Sequence, residues 1–357
     1  MIKCFEPSLK QEDISAAVQT LNEKVLAFGP NVLNFENSYK QFSRKKYNIG
    51  FNSASSAAYL LYQYLYERYG QCRVYTTSLG FVSPVFAALK NGHEVHYVDV
   101  DDNLLMCHES LLKSLIEDSK LSIVMPVLYG GVSSISSLEE VCKEKNCLLV
   151  LDSAHCISPT INYDYAFYSF HPVKPICMSN GGLLATNDRE ASNYMFLGRN
   201  FGRKQQEDSY DLVQSGFNFY MNNLNASLGL SQINKCLDNV VARKNNFNFL
   251  KNNIPSSLGR FTCHDERSSY YLSTLVLKNR YSSDIMRKEL YSRGVQTSFH
   301  YPFLHKSSFY KQDVNLPVLE SMQNKIINLP IHQELCQNDL EKIVNECIRH
   351  SRSRRQP

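Results

Sequence analysis

The stretch "LLVLDSAHCISPTINYDYAFYSFHPVK", residues 148–174, holds two short apolar runs, each followed by a residue that can do chemistry. The first, Leu148 to Leu151, stops on Asp152. The second, Ala166 to Phe170, is followed within a few residues by Lys174. Runs of four or five apolar residues, rich in leucine, valine and tyrosine, predict strands buried on both faces. The same signal recurs upstream at Arg73–Thr76, Val95–Val100 and Ile123–Val127. Helical patterns separate these runs: "SSAAYLLYQYLYERYG" (55–70), "SPVFAALKNG" (83–92) and "SSLEEVCKEKN" (136–146). Strands alternating with helices predict an α/β fold around a mainly parallel sheet. Ligands of such sheets bind outside the carboxyl ends of the strands, where Asp152 and Lys174 fall together.

The pattern changes in the second half. A helical stretch runs from about Asn222 to Lys251, a strand is predicted over Ser269–Leu277, and helices over Ser283–Arg293 and Asn338–Ile348. This predicts a large domain over 1–245 and a smaller α+β domain over 246–357, with a basic tail. The 357 residues suffice for two cores. A net charge of +4, and no basic face interleaved with aromatics, speak against a nucleic-acid partner. The tail Arg349-His350-Ser351-Arg352-Ser353-Arg354-Arg355 reads as a solvated terminus. Eleven cysteines are scattered singly with no CxxC, several inside apolar runs such as Cys147–Leu151. They fit reduced thiols in a cytoplasmic protein better than disulfides or a metal site. No signal-peptide core opens the chain, and no apolar run approaches the ~20 residues that span a bilayer. No membrane partner is therefore expected.

A lysine partly withdrawn from water loses its proton more readily and becomes a nucleophile. A nearby carboxylate can keep a heterocyclic nitrogen protonated. Pyridoxal phosphate asks for both, a lysine for its aldehyde and an acid for its ring nitrogen. Taken singly, Asp152 reads equally as a helix cap and Lys174 as a surface residue in a turn. In "FNSASSAAYL" (51–60), small residues and serines open a helix, which suits an anion or an ordinary serine cap. No GxxxxGK[ST] or GxGxxG is present, which disfavours nucleoside triphosphate and dinucleotide cradles. Phe81 can stack on a flat ring or sit in the core.

Taken in chain order, "FGPNVLNFE" (28–36), "NSASSAAYL" (52–60), "TTSLGFVSPVFAALKNGHEVHYVDVD" (76–101), "PVLYG" (126–130), "LDSAHCI" (151–157), "DYAFYSFHPVK" (164–174), "NGGLL" (180–184), "GRNFG" (198–202), "GFNFYMNNLNASLGLSQI" (216–233), "GVQTSFHYPFLH" (294–305) and "LPIH" (329–332) cover nearly the whole chain. Together they resemble the DegT/DnrJ/EryC1/StrS family of pyridoxal-phosphate-dependent nucleotide-sugar aminotransferases. The resemblance implies a seven-stranded, mainly parallel sheet of the pyridoxal-phosphate transferase type (fold type I). It makes Lys174 the Schiff-base lysine, Asp152 the partner of the ring nitrogen and His155 the residue packed beside the ring. Ala54, Ser55 and Ser169 match phosphate-binding positions, and Phe81 the stacking aromatic. Asn218 matches an asparagine that reaches the phosphate from a second subunit, implying a homodimer with shared active sites. Ala27, Phe28, Gly29, Tyr220, Tyr301 and His305 match regions lining the sugar pocket.

The implied reaction takes the amino group of L-glutamate, releases 2-oxoglutarate and aminates a nucleotide-linked keto-sugar. C4 of dTDP-4-keto-6-deoxyglucose is the first choice, because "HPVK" and His155 resemble C4-aminating members; the product would serve O-antigen, another surface polysaccharide or a related glycan. Three departures stand out. The family's Ser-Gly-Thr is Ser53-Ala54-Ser55 here, Tyr220 stands where an arginine is frequent, and Asn180 where an acid is frequent. Beside this reading stand an isomerase, lyase or dehydratase on the same scaffold, and a paralogue that binds the cofactor without turnover. Lys174 argues against relatives that carry histidine there and dehydrate sugars.

Overall fold

A computed structural model describes residues 1–353 except 117, 118, 136 and 310. Seven strands form the main sheet: β1 (Tyr47–Phe51), β2 (Arg73–Thr77), β3 (Glu94–Val98), β4 (Ser122–Met125), β5 (Leu148–Asp152), β6 (Tyr165–Ser169) and β7 (Gly182–Thr186). Their order is β1-β7-β6-β5-β4-β2-β3. β7 runs antiparallel to both its neighbours, and the remaining pairings are parallel. The two strands in the 148–174 stretch are adjacent, with Asp152 opposite Phe167. All five strands legible in the sequence are present. β1 and β7 carry no long apolar run; each has a glycine and is set by its pairing, Phe51 against Gly182 and Ser169 against Gly182.

That register gathers the site. The ends of β1, β5 and β6 and the start of β7 share one sheet edge. The helix Ala54–Tyr69 begins there too, two residues after β1. Gly182 is needed at this crossing: a Cβ on it would lie 2.2 Å from the carbonyl carbon of Ser53 and 2.3 Å from the nitrogen of Ala54. Aliphatic and aromatic side chains from helices on both faces cover the sheet in two core clusters, and no helix of the described residues is long and apolar enough to cross a membrane.

The C-terminal part packs a third cluster around β10 (Gly259–Phe261), β11 (Ser273–Leu277) and β12 (Ile326–Leu329), after a small exposed hairpin of β8 (Arg203–Gln205) and β9 (Tyr210–Leu212). The helix predicted over 222–251 is two helices, Asn223–Ile233 and Cys236–Asn253. Lys235 leaves helical geometry between them (φ −118°, ψ 2°), and its ammonium reaches the buried Asp13 carboxylate at 2.5 Å. The boundary expected at 245 lies inside the second helix. The first residues of the chain pack with the C-terminal part, where Ile2 pairs with Val295 and joins the third core cluster. The tail is also more ordered than its charge suggests. The last helix runs Gln337–Ser353, and His350 is buried with Nδ1 2.8 Å from Glu289 Oε2. Arg354 and Arg355 lie outside the described residues.

The strand predicted from Ser269 starts only at Ser273. Its first residues instead hook onto the main domain: the amides of Ser269 and Tyr271 donate to the carbonyls of Gly131 (2.6 Å) and Gly130 (2.9 Å). Both glycines have positive φ, 95° at Gly131 and 72° at Gly130. A Cβ on Gly131 would sit 2.8 Å from the His155 carbonyl oxygen and 3.0 Å from the Tyr271 nitrogen. Gly131→Ala is therefore expected to cost about 1–3 kcal/mol in chemical denaturation, since strain and crowding act together. Unchanged stability would show that the hook gives way freely.

Candidate active site

A cavity of about 320 Å³ opens at the carboxyl edge of the sheet. Lys174, Asp152, Ala54, Ser55, Phe81, Ser169 and Tyr301 line it. His155 stands directly behind this lining, its Nε2 3.0 Å from the Tyr301 hydroxyl and its ring 4.3 Å from that of Tyr271. Eight of the residues singled out in the sequence, separated by up to 247 positions, thus meet at one place.

The cavity floor is Asp152, the last residue of β5. Its Oδ1 accepts the Ala154 amide at 3.0 Å. Burial pushes this carboxyl up to about 6, against the lowering effects of the Ala154 amide and of Lys174. Lys174 sits in the turn after β6, its amide donating to the His171 carbonyl at 2.8 Å. Burial pushes its ammonium down to about 7; Asp152 acts in the opposite direction, while Arg243 adds to the lowering. The amine is therefore available as a nucleophile near neutral pH, as an ordinary surface lysine is not. His155 is fully enclosed and its pKa lies well below the usual histidine range, chiefly through burial. Its Nδ1 is buried without a hydrogen-bond partner among the described residues.

At the other end lies the first turn of the helix Ala54–Tyr69. Ser53 caps it, its hydroxyl accepting the Ser56 amide at 3.1 Å. The amides of Ala54 and Ser55 have no partner among the described residues. Ala54, Ser55 and Ser169 all line the cavity. Free N–H groups at the positive end of a four-turn helix, flanked by hydroxyls, make an anion site. Phe81, 52% exposed, flanks Tyr301 at 5.7 Å between ring centres.

These groups fit pyridoxal phosphate. The helix start and the serines suit its phosphate, Asp152 its ring nitrogen, Lys174 its aldehyde, and the aromatic walls its flat ring. An alanine at position 54 keeps the close backbone approach that Gly182 enforces.

The remaining residues lie elsewhere. Phe28 packs against Tyr220 and Phe196 at 6.3 and 6.5 Å, and the Arg199 guanidinium covers it at 5.0 Å. The Ala27 carbonyl accepts the Asn223 amide at 2.6 Å, and Gly29 lies against the Asn223 side chain. Asn218 is exposed, its carbonyl accepting the Asn52 side-chain amide at 3.0 Å. None of these five lines the cavity of its own chain. His305 does not line it either. It is buried, with Nδ1 2.7 Å from the Ser78 hydroxyl and Nε2 3.1 Å from Glu320, and ties one loop to another. Sequence reasoning gave no role to Tyr271 and His300, which also line the cavity, or to the buried Arg243. All three belong to segments that follow the main sheet; His300 lies inside the quoted stretch 294–305 beside Tyr301, while no local motif marks Tyr271 or Arg243.

Lys174 is charged in both the folded and unfolded states below pH 7, so the fold bears the whole cost of burying that charge. Between pH 7 and the ordinary value of 10.5 the folded state sheds the proton that the unfolded chain keeps, and the cost dwindles. Lys174→Met is expected to stabilise the cofactor-free protein by a few kcal/mol at pH 6, with the gain shrinking toward pH 10. Denaturant titrations across that range measure it; a gain independent of pH would contradict the shift.

The model of the DegT/DnrJ/EryC1/StrS aminotransferase family matches residues 7–348. A UDP-4-amino-4,6-dideoxy-N-acetyl-beta-L-altrosamine transaminase of Helicobacter pylori is 28% identical, the match covering 97% of this chain and 95% of that one. A Campylobacter jejuni protein of the same name is 26% identical over 94% and 93%. Among solved structures, the Helicobacter pylori aminotransferase PseC, involved in the biosynthesis of pseudoaminic acid, superposes with a TM-score of 0.93 at 25% identity, covering 99% of both chains.

Proposed function

The chain belongs to the DegT/DnrJ/EryC1/StrS aminotransferase family, and from that premise we propose that it moves the amino group of L-glutamate to C4 of a 4-keto-6-deoxyhexose carried on a nucleoside diphosphate. Its class, a pyridoxal-phosphate-dependent nucleotide-sugar aminotransferase, follows from the family and its relatives. The donor, the carbon and the sugar are our reading. The observation that carries it is the convergence of a near-neutral lysine, a buried carboxylate and an unpaired helix start in one cavity.

When bound, the cofactor supplies an electron sink that lets an amino group be stored between two half-reactions. Lys174 would offer its unprotonated amine as nucleophile and could serve as the group that accepts and donates a proton. Asp152, ionised at neutral pH, fixes a proton on the heterocycle's nitrogen. Ala54, Ser55 and Ser169 hold the phosphate. His155, neutral, and the rings of Tyr301 and Phe81 confine the heterocycle and exclude water. The relatives' printed name, with nitrogen at carbon 4 and a 6-deoxy sugar on UDP, supports C4 amination and favours UDP over the dTDP that the sequence suggests.

A homodimer is part of the reading. Phe196, Phe201, Tyr210, Leu212 and Phe217, near Asn218 in the chain, are exposed by 38–64%. So dense an apolar surface suits burial against a second copy. Asn218 would then approach the partner's phosphate site, and the Phe28–Tyr220 cluster the partner's sugar.

The test is the absorbance spectrum of the protein loaded with pyridoxal phosphate, before and after L-glutamate. Conversion to the amine form is expected, and Lys174→Ala is expected to abolish it. Amination is then assayed with the UDP-linked acetamido keto-sugar and with dTDP-4-keto-6-deoxyglucose. A spectrum indifferent to glutamate would overturn the donor; failure of both sugars would overturn the acceptor. Shared sites predict complementation: mixing Lys174→Ala with Asn218→Asp, each inactive alone, should restore about a quarter of wild-type activity, because half the dimers are hybrids with one intact site. No recovery in proven hybrids would place Asn218 outside the site.

A further inference from the structure

We propose that the ring face of Tyr271, backed by Phe5 from the chain's N-terminal segment, is the seat on which the Lys174 ammonium rests whenever that amine is not bonded to the cofactor. The Lys174 Nζ lies 4.0 Å from the centre of the Tyr271 ring. No hydrogen bond or ion pair to Nζ accompanies that contact among the described residues. A ring face carries negative potential and attracts an ammonium, most strongly where water is excluded. The Tyr271 ring is 1% exposed, and Lys174 is half-buried beside it.

The ring is held in place before the lysine arrives. Its backbone amide is fixed on the Gly130 carbonyl, the His155 ring packs 4.3 Å from it, and Phe5 stacks on it at 5.5 Å and 20° between planes. Phe5 is itself tied down. The amide of Cys4 donates to Gln296 Oε1 at 3.2 Å, and the His300 ring meets Phe5 edge-on at 5.3 Å. The tyrosine hydroxyl is not needed for the seat, and burial keeps it protonated.

The other groups around Lys174 leave room for this part. Asp152 on β5 attracts the ammonium, and Arg243 on the helix Cys236–Asn253 repels it. Arg243 is buried and makes no ion pair among the described residues; its Nε donates to Gln333 Oε1 at 2.8 Å. His155 after β5, His171 in the lysine's own loop and His300 are all shifted toward the neutral form by burial. Asp152 becomes committed to the heterocycle's nitrogen in the proposed reaction. The aromatic face then remains to receive the lysine in the half of the cycle in which it is free. This deepens the transaminase reading and rests on it for its role, although the contact itself does not.

The experiment measures Lys174 in full-length, cofactor-free protein, by reductive methylation with ¹³C-formaldehyde and NMR across pH. Removing the ring should ease loss of the proton, so Tyr271→Leu is expected to lower the midpoint by about one pH unit, a tenfold fall in proton affinity. Tyr271→Phe keeps the face and should leave the midpoint in place. Phe5→Ala, which only loosens the ring, should shift it the same way by about half as much, and it remains readable if Tyr271→Leu does not fold. A wild-type midpoint in Tyr271→Leu, or in Phe5→Ala where that is the folded variant, would overturn the proposal. So would Tyr271→Phe shifting as far as Tyr271→Leu, which would make the hydroxyl the working group. No cofactor, donor or turnover enters this measurement, so its failure is distinct from failure of the transamination assay.

Discussion

An amine withdrawn from water can carry its charge only against a desolvation cost, and the arrangement around Lys174 follows from managing that cost. Burial is the largest influence on the lysine and favours its neutral form. Asp152 pulls the other way, and the two end near one another, at about 7 and about 6. Proton exchange near neutral pH is then within reach of both groups. The balance needs an enclosed cavity, which needs side chains on every wall. The main sheet supplies the floor, the helix Ala54–Tyr69 one end, and Tyr271 and His300 close the remainder from the C-terminal part.

The legible share of this site is the part built at strand ends. Asp152, Ser169 and Lys174 stand where an apolar run stops, so alternation and length locate them; Ala54 and Ser55 stand where a helix begins. These positions are local consequences of local patterns. Tyr271 is not. The sequence around it suggests one continuous strand from Ser269, and only the hydrogen bonds to Gly130 and Gly131 detach its first residues and turn the ring toward the lysine. His300 is placed by contacts with Tyr129 and Phe5, and Arg243 by Gln333, 90 residues away, which no periodicity encodes. β1 and β7 were illegible for a related reason: their glycines serve a close crossing, and glycine reads in sequence as a break.

His305 shows the converse. A histidine in a motif that resembles a pocket wall is instead held by Ser78 and Glu320, and its surroundings are those of an interior cross-link. The Phe28–Tyr220 cluster differs again. It is assembled within one chain, on an exposed surface away from that chain's cavity, so its contribution to any sugar site depends on symmetry and not on the fold of the single chain.

The N-terminal segment has a consequence for the order in which the molecule is made. Cys4 bonds Gln296, a partner 292 residues away, and Ile2 pairs with Val295 beside it. Residues 2–5 therefore find these partners only after the intervening chain has been made. The main sheet is built entirely from residues up to Thr186, whereas the backing of the Tyr271 ring by Phe5 depends on contacts near Gln296. The wall behind Lys174 thus needs a chain that extends past Gln296, and a chain interrupted before it would carry every strand of the sheet without that wall.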